Sequence, residues 1–330
     1  MKLTKTTAIS ALLAACTLAV SGGAQASAAT VTPPPRVTSS STSAADSVAS
    51  SVPVRALRSN PVESVGTALR MSACPDDGYI VGCGYITNNA QVFTGENTLG
   101  PAEYSLTRVT NDHGRGDDKD FPQKLGSSGE FKYRSDGAGV EQTGYYKAPA
   151  PLPDTDEVGF HLDSPYWGTN KATCEGSRQY TVCTATLAES GRHANYAWTM
   201  SNLPTTVGIR NNLQSTAELT RVGSPAVGNF ILDAKGGNPT KIANDGKAGY
   251  FGMYRKAGTN NSFDVTYVVK SGDPLLNNAT VKINPIIGAD GKNTGKCTVQ
   301  APSSSSSLFC DMDASGGADG PVSVSVNIHQ

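Results

Sequence analysis

Only four histidines occur in the 330 residues, His113, His161, His193 and His329, and no two stand at a spacing used by metal-binding or nucleophilic motifs. A serine, threonine or cysteine nucleophile needs an imidazole and an orienting acid beside it. The chain has no Gly-x-Ser-x-Gly, no His-Glu-x-x-His and no phosphate-cradling glycine loop. His161 falls in a run that reads as a strand, where an imidazole serves structure. Catalysis is therefore not expected. Carboxylates cluster twice, in Asp112-His113-Gly114-Arg115-Gly116-Asp117-Asp118-Lys119-Asp120 and in Asp311-Met312-Asp313-Ala314-Ser315-Gly316. Either would suit Ca2+, but Val322 stands where an EF-type loop needs its bidentate acid. No metal or other cofactor is expected beyond that calcium alternative.

The segment Phe160-His161-Leu162-Asp163-Ser164-Pro165-Tyr166-Trp167-Gly168-Thr169-Asn170 carries the other chemistry, that of surfaces. A strand ending in Asp-Ser-Pro and a turn relieved by Gly168 would present Tyr166 and Trp167 side by side. Exposed aromatic rings beside polar groups suit a lipid interface or a sugar, whereas rings folded back would close the end of a sandwich. In a second copy of the unit, Leu275-Leu276 after Pro274 takes the matching place.

That second copy is visible along the chain. Ile86-Thr87-Asn88-Asn89-Ala90-Gln91 recurs as Ile209-Arg210-Asn211-Asn212-Leu213-Gln214, and Leu106-Thr107-Arg108-Val109 as Leu219-Thr220-Arg221-Val222. Pro122-Gln123-Lys124-Leu125 with Gly129 and Phe131 then matches Pro239-Thr240-Lys241-Ile242 with Gly249 and Phe251. A unit of about 120 residues was duplicated. Short β runs broken by Gly, Asn, Asp and Pro, including Phe263–Val269 and the strictly alternating Val322–Ile328, predict an all-β chain. The expectation is two tandem antiparallel β-sandwich domains of one fold, residues 72–202 and 203–330.

The beginning of the chain sets the compartment. Lys2 and Lys5, an apolar run from Ala8 to Val20 and Ala24-Gln25-Ala26 read as a secretory signal over residues 1–26. Leu13-Ala14-Ala15-Cys16 offers a lipoprotein alternative at Cys16. Residues 27–71, rich in Ser, Ala, Thr and Pro, read as a flexible linker or pro-segment. Cleavage leaves 25 basic against 28 acidic residues, a net charge of −3 that excludes a nucleic-acid partner. No later stretch is apolar for long enough to form a transmembrane anchor. Six cysteines remain in an exported chain, and the repeat favours local bridges, Cys74 with Cys83, Cys174 with Cys183 and Cys297 with Cys310.

Around Asp163, Pro165, Tyr166, Trp167, Gly168 and Asn170 the chain resembles the aegerolysins and their bacterial crystal-protein relatives. An Asn-Asn opening strand and a Gly-x-Phe strand extend the resemblance across residues 80–200. It implies a β-sandwich that recognises membrane lipid or glycolipid, at times as the docking component of a two-part toxin. Tyr166 and Trp167 would then be anchors, with Asp163 and Asn170 shaping the loop. Leu162 departs from that family's usual Trp. A secreted, non-enzymatic recognition protein is thus expected. Alternative roles are a module binding another extracellular protein, such as a protease, or a structural cell-envelope protein.

Overall fold

A computed structural model describes residues 80–113, 120–134, 139–189, 194–214 and 216–330. The signal, the linker, Cys74, His193 and most of the first acidic loop lie outside them. The first sandwich comprises β1 (Ile80–Asn88), β2 (Gln91–Gly95), β3 (Thr98–Pro101), β4 (Tyr104–His113), β5 (Lys124–Leu125), β6 (Ser128–Arg134), β7 (Gly139–Lys147), β8 (Glu157–Pro165), β9 (Lys171–Glu175), β10 (Thr181–Glu189) and β11 (Asn195–Asn202). Its two sheets run β10-β11-β1-β6 and β5-β4-β7-β8-β9, with β2 and β3 forming a separate hairpin.

The second sandwich comprises β12 (Pro204–Asn212), β13 (Glu218–Arg221), β14 (Ala226–Val227), β15 (Phe230–Asp233), β16 (Lys241–Ala243), β17 (Ala248–Arg255), β18 (Asn261–Lys270), β19 (Thr280–Ile287), β20 (Asn293–Gln300), β21 (Phe309–Ser315) and β22 (Val322–His329). Its sheets run β15-β17-β12-β22-β21 and β16-β13-β18-β19-β20. Each shared strand has the same neighbours as its counterpart, including the parallel pairing of first and last strands, β1 with β11 and β12 with β22. The tandem all-β architecture read from the repeat is the one observed.

The repeated residues perform repeated tasks. Asn88 is buried and donates through Nδ2 to the carbonyls of Ala102 (2.8 Å) and Gly126 (2.7 Å), while its Oδ1 accepts from the Ala90 N–H. Asn211 does the same with Ala217 (2.9 Å), Ile242 (3.0 Å) and the Leu213 N–H. Backbone groups at the sheet crossing are thereby satisfied without water. Tyr146 donates to the Pro122 carbonyl at 2.8 Å, and Tyr267 to that of Pro239 at 2.9 Å. A Cβ on Gly129 would come within 2.8 Å of Pro122 and Leu125, and one on Gly249 within about the same distance of Pro239 and Ile242. The glycine of each Gly-x-Phe strand lets the proline turn lie flat on the sheet.

Cys174–Cys183 and Cys297–Cys310 are bridged as expected, and Cys83 is also disulfide-bonded. Each of the two described bridges joins consecutive strands lying in opposite sheets, β9 to β10 and β20 to β21, so it closes one side of a sandwich.

Two sequence expectations change. Leu275 and Leu276 lie in the connection from β18 to β19, which matches that from β7 to β8; buried Leu276 corresponds to buried Leu152. The counterpart of Tyr166 and Trp167 is instead the polar turn Gly288–Lys292 between β19 and β20. Asp311, Asp313 and Ser315 alternate along extended β21 and do not wrap around a point, and Asp311 contacts His329 at 2.8 Å. A strand spaces alternate residues by nearly 7 Å, so the calcium-loop alternative fails there.

One core position differs in kind. Counting four residues back from the paired tyrosines sets Gln142 opposite Phe263, and both are buried. Among the described residues, neither Oε1 nor Nε2 of Gln142 has a hydrogen-bond partner, a state that costs about 1–3 kcal/mol. Gln142→Met, near in volume, should therefore raise the melting temperature, read by thermal unfolding of the intact chain. A lower value would show that buried water holds the amide.

Candidate functional site

The hairpin of β8 and β9 carries the aromatic segment on a firm base. From the opposite sheet, the Tyr196 hydroxyl donates to the Asp163 carbonyl at 2.9 Å and the Trp198 indole donates to the Thr173 carbonyl at 3.0 Å. The Cys174–Cys183 bridge ties the same hairpin to β10. At the start of β7, Gly139 has φ +99°, and a Cβ there would lie 2.8 Å from the Tyr166 nitrogen. Only glycine allows β7 to pass so close beneath the tip.

Beyond Pro165 the chain turns through Gly168, at φ +134°, and projects two aromatic residues. Trp167 is 85% exposed and Tyr166 52%, with their rings edge to face at 5.2 Å. The rings do not fold back over the core. The core beneath the hairpin is packed by Trp198, stacked near Phe131 and Tyr196. Asp163 points outward on β8, 3.7 Å from Lys171 Nζ, and so links the two strands just below the tip. Asn170 is half-buried where the turn enters β9. The four residues singled out by the sequence thus share one hairpin, the aromatic pair at its tip and the polar pair just below it.

A polar face that sequence reasoning missed adjoins this tip. On the outer side of β4-β7-β8-β9, His161 lies with Nδ1 2.9 Å from Thr143 Oγ1 and 3.5 Å from Glu175 Oε1, and Nε2 3.7 Å from Glu141 Oε1. The other oxygen of Glu141 is 3.2 Å from His113 Nδ1. Tyr145 donates to Glu175 at 2.9 Å beneath the Arg108 guanidinium, which stacks 3.9 Å over its ring and reaches Glu157 at 2.7 Å. Burial first, then the Glu175 contact, pushes the Tyr145 phenol above its ordinary value, against the pull of Arg108. Period-two spacing in Glu141-x-Thr143-x-Tyr145 and His161-x-Asp163 hints at such a face, but the cross-strand register that joins them is not written in either strand.

This face does not form a nucleophilic site. Thr143, the hydroxyl nearest His161, is itself buried and closed to a substrate.

No family model matches the chain, and no curated protein matches it. Among solved structures, it is similar to the major pilin protein T-13 of Streptococcus pyogenes at 11% identity and a TM-score of 0.25, covering 77% of this chain and 97% of that one. Another major pilin structure from Streptococcus pyogenes gives 10% identity and a TM-score of 0.22 over 76% of this chain and 98% of the other. Both likenesses are distant.

Proposed function

We propose that this chain is an exported, non-enzymatic recognition protein that uses the β8–β9 tip of its first sandwich to engage another extracellular protein. The observation carrying this reading is the exposed Tyr166–Trp167 pair on a hairpin anchored from the opposite sheet and by a disulfide. Tyrosine and tryptophan dominate protein hot spots, where an aromatic centre is rimmed by polar groups that exclude water. Here the rim carries both signs, with Asp163 and Glu141 beside Lys171. Attachment to an anionic lipid surface would draw on a basic rim, and the lysine nearest the tip is paired with Asp163.

The test is a pair of variants. Tyr166→Ala with Trp167→Ala should leave the melting temperature within the error of exposed substitutions, about 0.5 kcal/mol in stability, yet weaken capture of the partner at least tenfold. Mature protein is presented in parallel to the extracellular proteins of its source and to phosphatidylcholine–sphingomyelin vesicles. Vesicle binding that needs both rings would transfer the tip to the lipid role implied by the aegerolysin resemblance. Binding that ignores both rings would end the proposal.

A further inference from the structure

We propose that His113, Glu141 and His161 form a binding site for a divalent transition-metal ion of the zinc type on the outer face of the first sandwich. The Glu141 carboxylate lies between two imidazoles, with Oε2 3.2 Å from His113 Nδ1 and Oε1 3.7 Å from His161 Nε2. Ligands held at zinc bond lengths around a tetrahedron stand about 3.4 Å from one another, so these neighbouring donors already have ligand spacing.

The outer contacts of His161 are those of a metal ligand. Its Nδ1 faces Thr143 and Glu175, whose second oxygen is fixed by the Tyr145 hydroxyl. A metal-bound histidine gives its remaining N–H to such a partner, which sets the tautomer and turns the other nitrogen toward the ion. That other nitrogen is the one facing Glu141. Charge agrees with this assignment, because two carboxylates flank the imidazole while Arg108 and Lys171 are engaged by Glu157 and Asp163.

The donors are not yet gathered around one point among the described residues. They stand in a row, and the outermost must move. His161, with a side chain 12% exposed, is held; His113, at 69%, is free to swing over Glu141 toward it. The second sandwich has no such group on the matching strands, since neither β18 nor β19 carries a histidine. The ligands come from three strands at separations of 28 and 20 residues, outside the short spacings by which zinc sites are read from sequence.

Calorimetric titration of the mature chain with zinc sulfate should show one equivalent bound, with magnesium and calcium salts giving none. Glu141→Gln and His161→Gln should each weaken binding at least tenfold. Glu175→Gln, which touches no ion, should weaken it about 10–100-fold through His161. His329→Gln, at the separate Asp311 contact, should change nothing. If His161→Gln fails to fold, His113→Gln on the exposed side carries the same comparison. Absence of stoichiometric zinc uptake, or uptake indifferent to both histidine variants, would overturn the assignment.

Discussion

Replacing Phe93 with Ala should cost on the order of 3–5 kcal/mol and split one cooperative unfolding transition into two. Phe93 belongs to the β2–β3 hairpin of the first sandwich, yet its ring meets Tyr254 of the second edge-on at 5.6 Å. The Phe93 N–H also donates to the Tyr254 hydroxyl at 3.2 Å, and that hydroxyl donates to Asp233. Two glycines floor the socket: a Cβ on Gly252 would stand 2.5 Å from the Gly236 backbone and 2.9 Å from the Phe93 ring. Tyr254 is buried with the core of the first sandwich although it lies on a strand of the second. Truncation leaves a cavity whose walls belong to both halves and relax little, the situation in which losing a phenyl ring is most costly. Differential scanning calorimetry of the wild type and Phe93→Ala decides the matter. Gly252→Ala should act in the same direction by crowding the ring. A variant that melts in one step at the wild-type temperature would show that the halves are not coupled through this socket.

Asp156→Ala should be nearly as damaging, at about 3–5 kcal/mol. Asp156 is buried and accepts three hydrogen bonds, from the N–H groups of Gln179 (2.6 Å) and Tyr180 (3.0 Å) and from the Thr181 hydroxyl (2.8 Å). That hydroxyl also contacts the Tyr104 phenol at 2.9 Å, whose own ionisation is pushed up chiefly by burial. Removing the carboxylate strands several donors away from water, and each stranded donor costs about 1–3 kcal/mol. The Gln179 carbonyl accepts from the Ala257 N–H, so the disturbance also reaches the joint between sandwiches. Asp156→Asn keeps oxygen for part of the set and should lose less. Urea unfolding of the two variants gives the order; equal stability would mean that the donors find water.

The sequence made the duplication legible because the repeated residues are those with one possible task. Asn88 and Asn211 close the same crossing, and Tyr146 and Tyr267 clamp the same proline turn, so each pair performs one task in both copies. The strict alternation of Val322–Ile328 likewise becomes β22, one face buried. Exposure at Tyr166 and Trp167 follows from a turn beginning immediately after Pro165. What stayed hidden depends on partners distant in the chain. Leu275-Leu276 resembled the aromatic pair because both follow a proline, but only strand order shows which connection is which. The β2–β3 hairpin has no counterpart in the second copy, so the repeat gave Phe93 no distinguishing mark. The His161 face depends on register across four strands, and no single strand encodes it.

The pairing of first with last strand bears on how the molecule would carry tension. In each sandwich these strands are parallel neighbours, Cys83 to Asn88 against Asn195 to Met200 and Thr205 to Asn212 against Val322 to His329. A pull entering before β1 and leaving after β11 drags the two strands in opposite senses along their length. Their ladder is then loaded in shear, all bonds together, and cannot open one bond at a time like a zip. Only Leu203 separates β11 from β12, so force leaving one clamp enters the next with almost no slack.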